Sequence, residues 1–393
     1  MPLPNVIINI ERNGLGGVAL TVDGIMGLCL TGVPIDNTLE LNKPYAIYTL
    51  DGAKALGITI DENPVAYKQI KEFYDEAGTN RKLWIILCEE SVTIEDMVDK
   101  SLDACPAKIL AEAAQGEIKV MGCSWMPAQV YEPTILDGLD AKVYAAVLKA
   151  DSLAKDFVAQ IMPFSFLLEG IGFTGTASDL RDLLGMTSER AGIVMAATED
   201  NGQGAIGMTI GRLARIPVQR KISRVKDGAL PTLYGYLTDG DPVDTRQGEL
   251  DTMHDRGFIV FRKFPTRSGY YFNQDTTCAP VSNDLHTISH LRVIDKALVI
   301  TYNTYVEELD EEVKIGKDGT LDPSMIAYLQ AKIERNVGLN MVGEISNFEA
   351  YIDPSQNILS VPRLNIVLRI TPVGYLSEIV VSLGFKNPAL TTA

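Results

Sequence analysis

The segment RAGIVMAATEDNGQGAIGMTIGRLA, Arg190 to Ala214, carries the signals that decide the fold class. Its apolar run from Ile193 to Ala197 predicts a buried strand, and a Gly-rich turn follows. Ala205 to Ala214 then has the apolar spacing of an amphipathic helix. A buried strand that leads through a turn into a helix is the repeating unit of a parallel α/β sheet.

The sequence before this segment alternates in the same way from about Leu83. The predicted strands are LWIILCEE, IKVMGCSW, FSFLLEGIGF and GIVMAAT. The predicted helices run from Thr93 to Gln115, from Leu136 to Ile161 and from Ala177 to Leu184. We therefore predict an α/β domain with a largely parallel sheet.

The pattern changes after about Pro231, where turn-rich sequence leads to the apolar run GFIVFRKF. Two helices are predicted next, from Ser282 to Leu309 and from Pro323 to Asn336. The strands EISNFEAYID, LNIVLRITPVG and YLSEIVVSLGF follow. This region predicts an α+β domain of two helices and a hairpin-rich sheet. The predicted division is an N-terminal arm at 1–22, an α/β domain at 23–235, an α+β domain at 236–375 and a C-terminal arm at 376–393.

Both ends of the chain contain a strand-like segment, VIINIER near the start and EIVVSLGF near the end. Such a strand either docks in the chain's own sheet or extends to a neighbouring subunit, because an unpaired strand edge accepts an added strand. The sequence pattern alone favours neither. The apolar and strand-forming positions are Val6, Ile7, Ile8, Asn9, Ile10, Ile379, Val380, Val381, Leu383 and Phe385.

Composition limits the classes of partner. The net charge of −16 disfavours binding to phosphate backbones or anionic lipid. The five cysteines are odd in number and form no C-x-x-C pair, which is typical of reduced thiols in a cytoplasm. The start of the chain has no signal-peptide pattern, and no apolar run approaches the roughly 18 residues of a membrane span. We expect a protein that folds in the cytosol.

The turn contains one motif associated with cofactors, because Gly202, Gly204 and Gly207 spell G-x-G-x-x-G. In a dinucleotide site an acidic residue follows about 20 positions later and binds the ribose. The corresponding region here, Arg220 to Asp227, is mostly basic. This pattern favours an exposed structural turn over a nucleotide site.

Other chemical motifs are weak. His286 and His290 are four residues apart on a predicted helix, but the glutamate of H-E-x-x-H is missing. The sequence contains no G-x-S-x-G elbow and no phosphate-binding P-loop. We therefore predict no catalytic residue, no metal and no cofactor.

Charged residues cluster at two places, which are either solvated faces or contact patches. The basic cluster contains Arg212, Arg215, Arg220, Lys221, Arg224 and Lys226. The acidic run contains Glu307, Glu308, Asp310, Glu311 and Glu312.

Three segments in order resemble a known family: GAIGMTIGRLARIPVQRKISRVKDGALP (Gly204 to Pro231), SGYYFNQDTTCAP (Ser268 to Pro280) and LRVIDKALVITYNTYVEEL (Leu291 to Leu309). Together they are similar to contractile tail sheath proteins of phages and phage-like injection systems, and to the compact branch in Bacteroidetes-type phages. The resemblance covers the second half of the chain, whereas the first 180 residues match only in their α/β character.

The resemblance implies a subunit that stacks in hexameric rings around an inner tail tube and contracts to drive that tube through a target envelope. Implied partners are further copies of the chain, the tube protein, and baseplate and tail terminator proteins. Direct binding of nucleic acid and insertion into a membrane are not implied. Assembly in the bacterial cytoplasm, into a virion tail or an injection particle, is implied.

The resemblance also implies roles for particular regions. The α/β domain would lie outward, the C-terminal domain would face the tube, and both arms would interlace with neighbouring subunits. Lys332 and Arg335 on the second predicted C-terminal helix would then face the tube. The residues predicted to exchange charged contacts between subunits are Arg220, Lys221, Arg224, Glu307, Glu308 and Glu311.

The alternative from another class is an NAD-type oxidoreductase that uses the turn from Gly202 to Gly207. A nucleotide-dependent rise in thermal stability would support it. A tail tube or baseplate component is a third class, and the length of 393 residues argues against a tube subunit.

Overall fold

The computed structural model describes residues 23–385. The strands are β1 (Met26–Thr31), β2 (Tyr45–Ile47), β3 (Leu83–Cys88), β4 (Val120–Ser124), β5 (Ile135–Leu136), β6 (Leu139–Asp140), β7 (Ser165–Glu169), β8 (Ala191–Val194), β9 (Ala196–Ala197), β10 (Tyr236–Leu237), β11 (Phe261–Arg262), β12 (Tyr271–Phe272), β13 (Ile345–Ile352) and β14 (Ile366–Pro372). The α-helices are α1 (Leu50–Ala55), α2 (Pro64–Ala77), α3 (Pro106–Ala114), α4 (Ala141–Ala159), α5 (Ile206–Arg215), α6 (Gln247–Asp255), α7 (Ile288–Tyr305) and α8 (Pro323–Asn340).

A six-stranded sheet with the order β2-β3-β1-β4-β7-β8 forms the centre of the molecule. Strands β3, β1, β4, β7 and β8 are parallel, and β2 joins the edge antiparallel to β3. The predicted mixed α/β fold with a largely parallel sheet is therefore confirmed. The central strand β1 is not predicted, because it lies before the region of strand and helix alternation that begins at about Leu83; Leu110 and Ile118 pack against its Gly27.

Helices cover both faces of this sheet, as parallel strands require. On one face, Ile206 and Ile210 of α5 pack close to Gly122 of β4. Helix α2 packs against α5 on that face, while α3 and α4 contact the strands from the other face. The parallel strands are consequently buried, apart from the half-buried Trp84 of β3, whereas the edge strand β2 is partly exposed.

Several predicted helices are shorter in the structure because local caps and prolines set their ends. The helix predicted from Thr93 to Gln115 is wrong: a 3₁₀ turn at Asp96–Val98 is followed by α3, which begins at Pro106, a residue suited to a first helical position. The helix predicted from Leu136 begins at Ala141, since the Asp140 carboxylate accepts the N–H of Lys142.

Three further helix predictions need correction. The segment from Ala177 to Leu184 forms two 3₁₀ turns instead of a short α-helix, at Ala177–Asp179 and Leu183–Gly185. The helix predicted from Ser282 begins at Ile288, because the hydroxyl of Thr287 caps it by accepting the N–H of His290. Helix α8, predicted to end at Asn336, continues to Asn340.

The C-terminal region consists of α7, α8 and a hairpin of β13 and β14. In the described part of the chain these two strands pair only with each other. The strand predicted in YLSEIVVSLGF is wrong for the single chain, since residues 375–385 have no regular structure. A strand needs a partner ladder, and none of the strands between residues 23 and 385 supplies one for this segment.

Among the described residues, buried side chains form one large cluster and two small ones. The large cluster runs from Met26 to Ile288 and includes Val243, Phe258 and Phe261, which lie beyond position 235. The small clusters lie among α7, α8 and the hairpin. The four-part division of the chain stays a prediction.

Candidate functional site

The Gly-rich turn is occupied by side chains of the protein itself. The N–H of Gly204 donates to Glu169 Oε1 at 2.5 Å, and the N–H of Gly207 donates to Gln69 Oε1 at 2.7 Å. Amides at a helix N-terminus are the groups that would bind a pyrophosphate. In this arrangement a carboxylate and a side-chain amide already accept their hydrogen bonds.

Glu169 closes the crevice where the parallel strands end. Its second oxygen accepts the N–H of Trp125 at 3.0 Å, and its side chain is fully buried. Burial raises the pKa of Glu169 to about 7, against hydrogen bonds from Ser124, Gly204 and Trp125 that favour the charged form. The edge of the sheet where α/β proteins usually bind ligands is thus filled from within.

Close helix packing explains the second half of the motif. A Cβ at Gly207 would overlap the backbone carbonyl of Gln69 on α2, and one at Gly211 would lie 2.8 Å from the Phe73 carbonyl. The expectation of an exposed turn is wrong from Gly204 onward, because α5 enters the core against α2 immediately after the turn. Gly202 alone needs a positive φ, of 79°.

The C-terminal arm extends from the molecule without covering its apolar side chains. The exposed fraction is 73% for Ile379, 83% for Val380, 76% for Val381 and 97% for Leu383, and Phe385 is fully exposed. Contiguous apolar exposure of this kind is typical of an interaction surface. The N-terminal arm positions Val6 to Ile10 lie outside the described residues.

Tyr375 anchors the start of this arm to the body of the protein. Its hydroxyl donates to the backbone carbonyl of Gln219, and its ring centroid lies 5.7 Å from that of His290. The ammonium of Lys221 lies 4.8 Å from the Tyr375 ring centroid, in cation–π geometry. Leu376, the next residue, is 87% exposed, so the arm leaves the body directly after this anchor.

A cleft with a volume of about 1340 Å³ lies between this anchor and the basic cluster. Arg220 and Arg224 line it and both bind Asp227 Oδ1, at 3.2 and 2.6 Å. Lys221 also lines it, 3.8 Å from Asp275. Arg220, Lys221, Arg224 and Lys226 of the basic cluster are therefore brought together on one surface, with part of their charge balanced inside the chain. Arg212 does not belong to this surface, because it is buried in an ion pair with Glu76, and Arg215 pairs with the same carboxylate.

The acidic residues and the predicted tube-facing residues meet on the C-terminal helices. Lys332 forms an ion pair with Glu308 and lies 3.6 Å from Glu307. Glu311 and Arg335 are exposed. Between residues 23 and 385, no ion pair joins this acidic group to the basic patch of the same chain.

The histidine pair is a packing feature. The Nδ1 atoms of His286 and His290 donate to the backbone carbonyls of Asn283 and Asp284, at 2.7 and 3.0 Å. Their rings meet edge to face with centroids 6.0 Å apart. Within the part of the chain that the structure describes, no group of three or more His, Cys, Asp or Glu side chains is placed to hold a metal ion.

The C-terminal hairpin offers two open strand edges. Each of β13 and β14 has one neighbour in the described chain and therefore one unpaired edge. The hairpin also carries exposed apolar side chains, with Tyr351 58% and Val367 44% accessible. Unpaired backbone groups beside apolar side chains are a template for an added strand.

Sequence reasoning misses the residues that organise these features. Gln69 is one of several polar residues in a helix pattern, and Glu169 is one acidic residue in an apolar strand pattern. Tyr375 is one aromatic residue after a Pro-Val-Gly segment. Their roles depend on contacts with residues more than 30 positions away, for which the local pattern holds no signal.

None of the helices between residues 23 and 385 has the length and apolar character needed to span a bilayer.

Similarity to solved structures extends over almost the whole chain. The contracted helical sheath protein of the anti-feeding prophage aligns with a TM-score of 0.62 at 12% identity and covers 98% of this chain and 99% of its own. The PVC sheath complex of an extracellular contractile injection system, in its contracted state, gives a TM-score of 0.57 at 10% identity, with 98% of each chain covered. A sheath tail protein from Listeria innocua gives 0.50 at 9% identity, covering 89% of this chain and 95% of its own.

These identities are low, so the likeness establishes a shared fold. No curated protein matches the sequence. The model of the DUF2586 N-terminal domain matches residues 3–276, and that of the DUF2586 C-terminal domain matches residues 284–390. With both domain models matched in order over nearly all of its length, the chain belongs to the DUF2586 family, and its fold is that of contractile sheath proteins.

Proposed function

We propose that this protein is the subunit of a contractile sheath, which polymerises as stacked hexameric rings around an inner tube and contracts to drive that tube through a target envelope. The observation that carries the proposal is the exposed apolar arm from Ile379 to Phe385, in a chain whose own hairpin has two open edges. The sheath fold supports it.

The arm and the hairpin are complementary surfaces of one chain. An arm that pairs with its own hairpin would leave no link between copies, and in the single chain it does not pair. Addition to the hairpin of a neighbouring copy would satisfy the backbone of both and bury the apolar side chains. Val6 to Ile10, with strand-forming sequence, would supply a second added strand.

Contraction needs a lattice with two arrangements of different free energy. Small gains per subunit, multiplied over many copies, would supply the work, because packed interfaces switch between discrete states. We place Arg220, Lys221, Arg224, Glu307, Glu308 and Glu311 among the contacts exchanged between copies. Glu311 is the acidic member that the chain leaves without an ion pair among its described residues.

The tube would lie against the C-terminal helices. Lys332 is engaged with Glu308, so the cation on α8 that is open to a tube is Arg335. Baseplate and tail terminator proteins would bind the ends of the polymer. Assembly would occur in a bacterial cytoplasm, into a virion tail or an injection particle of the compact Bacteroidetes-type branch.

Electron microscopy of the purified chain at increasing concentration tests this proposal. Hollow tubes with a ring repeat are expected, and their loss is expected when residues 376–393 are removed. Small discrete oligomers that are indifferent to this truncation would contradict it. NAD is included as a control ligand: a rise in melting temperature would favour the oxidoreductase.

Arg335→Glu tests the tube face separately. This single change leaves the Lys332–Glu308 ion pair in place, whereas a Lys332 variant would disturb it. We expect tubes without an inner-tube partner to form normally and co-assembly with the tube protein to weaken. Unchanged co-assembly would remove Arg335 from the proposed tube contact.

A further inference from the structure

The cleft beside the arm anchor has a charge opposite to that of the whole protein. Among residues 23–385, five cations line it against the single carboxylate of Asp255, in a chain with a net charge of −16. The cations are Arg220, Lys221, Arg224, Lys226 and Arg262. A concave surface concentrates such a field and selects an acidic partner.

Two of these cations have no counter-charge in the described part of the chain. Lys226 and Arg262 are exposed, and neither forms an ion pair with any residue from 23 to 385. Arg262 is held in place by stacking on the ring of Phe264, at 4.3 Å from the ring centroid. A cation with a fixed position and no partner loses little conformational entropy when it binds one.

The cleft also has an apolar wall. Val281 is 65% exposed and Leu376, directly after the arm anchor, is 87% exposed. Phe264 lines the cleft beside them. The complementary ligand is therefore a short segment that combines carboxylates with an apolar side chain.

This chain carries such a segment in its acidic run. Leu309 is 71% exposed and is followed by Asp310, Glu311 and Glu312, all exposed. None of these three carboxylates forms an ion pair in the described part of the chain, whereas Glu307 and Glu308 are engaged by Lys332. A positive φ of 60° at Asp310 marks a turn directly after Leu309.

We propose that the cleft of one copy binds the segment Leu309–Glu312 of a second copy, with Lys226 and Arg262 facing its carboxylates and Leu309 against the apolar wall. The cleft and the segment do not contact each other within one chain, so the pairing joins two copies. The proposal rests on self-assembly of the chain, as proposed above, but not on its arms or on contraction.

A binding assay on the full-length protein tests the contact. The probe is a fluorescein-labelled peptide of residues 305–314, YVEELDEEVK, followed by fluorescence anisotropy. We expect saturable binding that weakens at least about tenfold when the ionic strength rises from about 0.05 M to about 0.5 M. Lys226→Glu with Arg262→Glu is expected to weaken it by a similar factor.

Two controls make the result specific. Lys108→Glu with Lys317→Glu makes the same change in net charge away from the cleft, at two lysines without an ion pair in the described residues, and should bind like the wild type. A peptide carrying Asp310→Lys, Glu311→Lys and Glu312→Lys should not bind the wild type and should bind the Lys226→Glu, Arg262→Glu protein. This charge swap keeps the test valid if either change alone alters stability.

The outcomes separate the two proposals. Equal peptide binding to the cleft variant and the wild type would overturn the cleft contact, as would failure of the reversed peptide to bind the reversed cleft. If a chain forms tubes but does not bind the peptide, the sheath proposal holds and the cleft contact is overturned. Charge-swapped peptide binding by a chain that never forms tubes would support the cleft and contradict the sheath.

Discussion

At the scale of single residues, Gly207 decides how closely two helices approach. Helix α5 meets α2 at a position where any Cβ would overlap the Gln69 carbonyl, and the amide of Gly207 donates to the Gln69 side chain. Gly207 therefore completes the spacing of a cofactor motif for a packing reason, whereas Gly202 is required by its positive φ of 79°. A glycine that permits close backbone approach has the same sequence signature whether the neighbour is a phosphate or a helix.

Gly207→Ala should therefore destabilise the protein by about 3 kcal/mol, since the backbone of α2 cannot move aside as a side chain could. Gly338→Ala is the matched control, because Gly338 lies in helix α8 with nothing within 4 Å of an added Cβ. It should stabilise the helix by up to about 1 kcal/mol. Urea unfolding measures both, and equal effects of the two changes would contradict the packing argument.

Glu169 should give the stability of the protein an unusual pH dependence. Burial raises its pKa from 4.5 to about 7, so the folded state holds a proton that the unfolded state releases between these values. Its contribution to the free energy of unfolding therefore falls as the pH rises through this window. The direction is opposite to that of a carboxylate held in an ion pair.

Glu169→Gln removes the titration. Relative to this variant, the wild type should lose stability on the order of 2 to 3 kcal/mol between about pH 5 and about pH 8. Chemical denaturation of both proteins at the two pH values gives the difference, in which other titrating groups cancel. A difference that does not change with pH would show that Glu169 titrates alike in the folded and unfolded chains.

At the scale of elements, the sequence predicts the strands and helices that follow a repeating apolar pattern. It does not predict helix ends set by local caps or contacts between residues far apart in the chain. The alternation from Leu83 to Ala214 correctly predicts β3, β4, β7, β8 and α5, because buried parallel strands are continuous apolar runs. It misses β1, which lies before the alternating region, and overextends helices whose caps at Asp140 and Thr287 lie inside the predicted spans. The hydrogen bonds of Glu169 and Gln69 join residues far apart in the chain, so no periodic pattern in the sequence predicts them.

The mobility of the C-terminal arm should depend on a single side chain, Tyr375. Tyr375→Ala removes the contacts with Gln219, His290 and Lys221 that fix the start of the arm. A nitroxide on Ser382→Cys reports arm motion selectively, because all five native cysteines are buried. We expect greater label mobility in the alanine variant with little change in melting temperature.

Tyr375→Phe is the matched variant, since it keeps the ring beside His290 and Lys221 and loses only the hydroxyl bond. Its label should be closer in mobility to the wild type than to Tyr375→Ala. If all three proteins give the same spectrum, Tyr375 does not control the arm.

At the scale of the whole molecule, the chain combines a closed body with an open periphery. In the α/β layer, the N–H groups at the carboxyl ends of the strands and in the Gly-rich turn donate to Glu169 and Gln69 instead of to a ligand. The hairpin edges, the arm and the cleft are left open. In the proposed assembly each open surface meets its complement on another copy, so head-to-tail contacts would repeat without closing on a dimer, which is the condition for a polymer.

This asymmetry between donor and acceptor surfaces predicts how a truncated chain should act in a mixture. A chain that ends after Tyr375 keeps the anchor and both hairpin edges but cannot donate its arm. Added to wild-type protein at about one part in ten, it should enter growing assemblies and weaken the next contact, so that tubes become fewer and shorter. The same amount of extra full-length chain is the control. Tube length and number are counted by electron microscopy, and a mixture indistinguishable from the control would mean that the arm does not link one copy to the next.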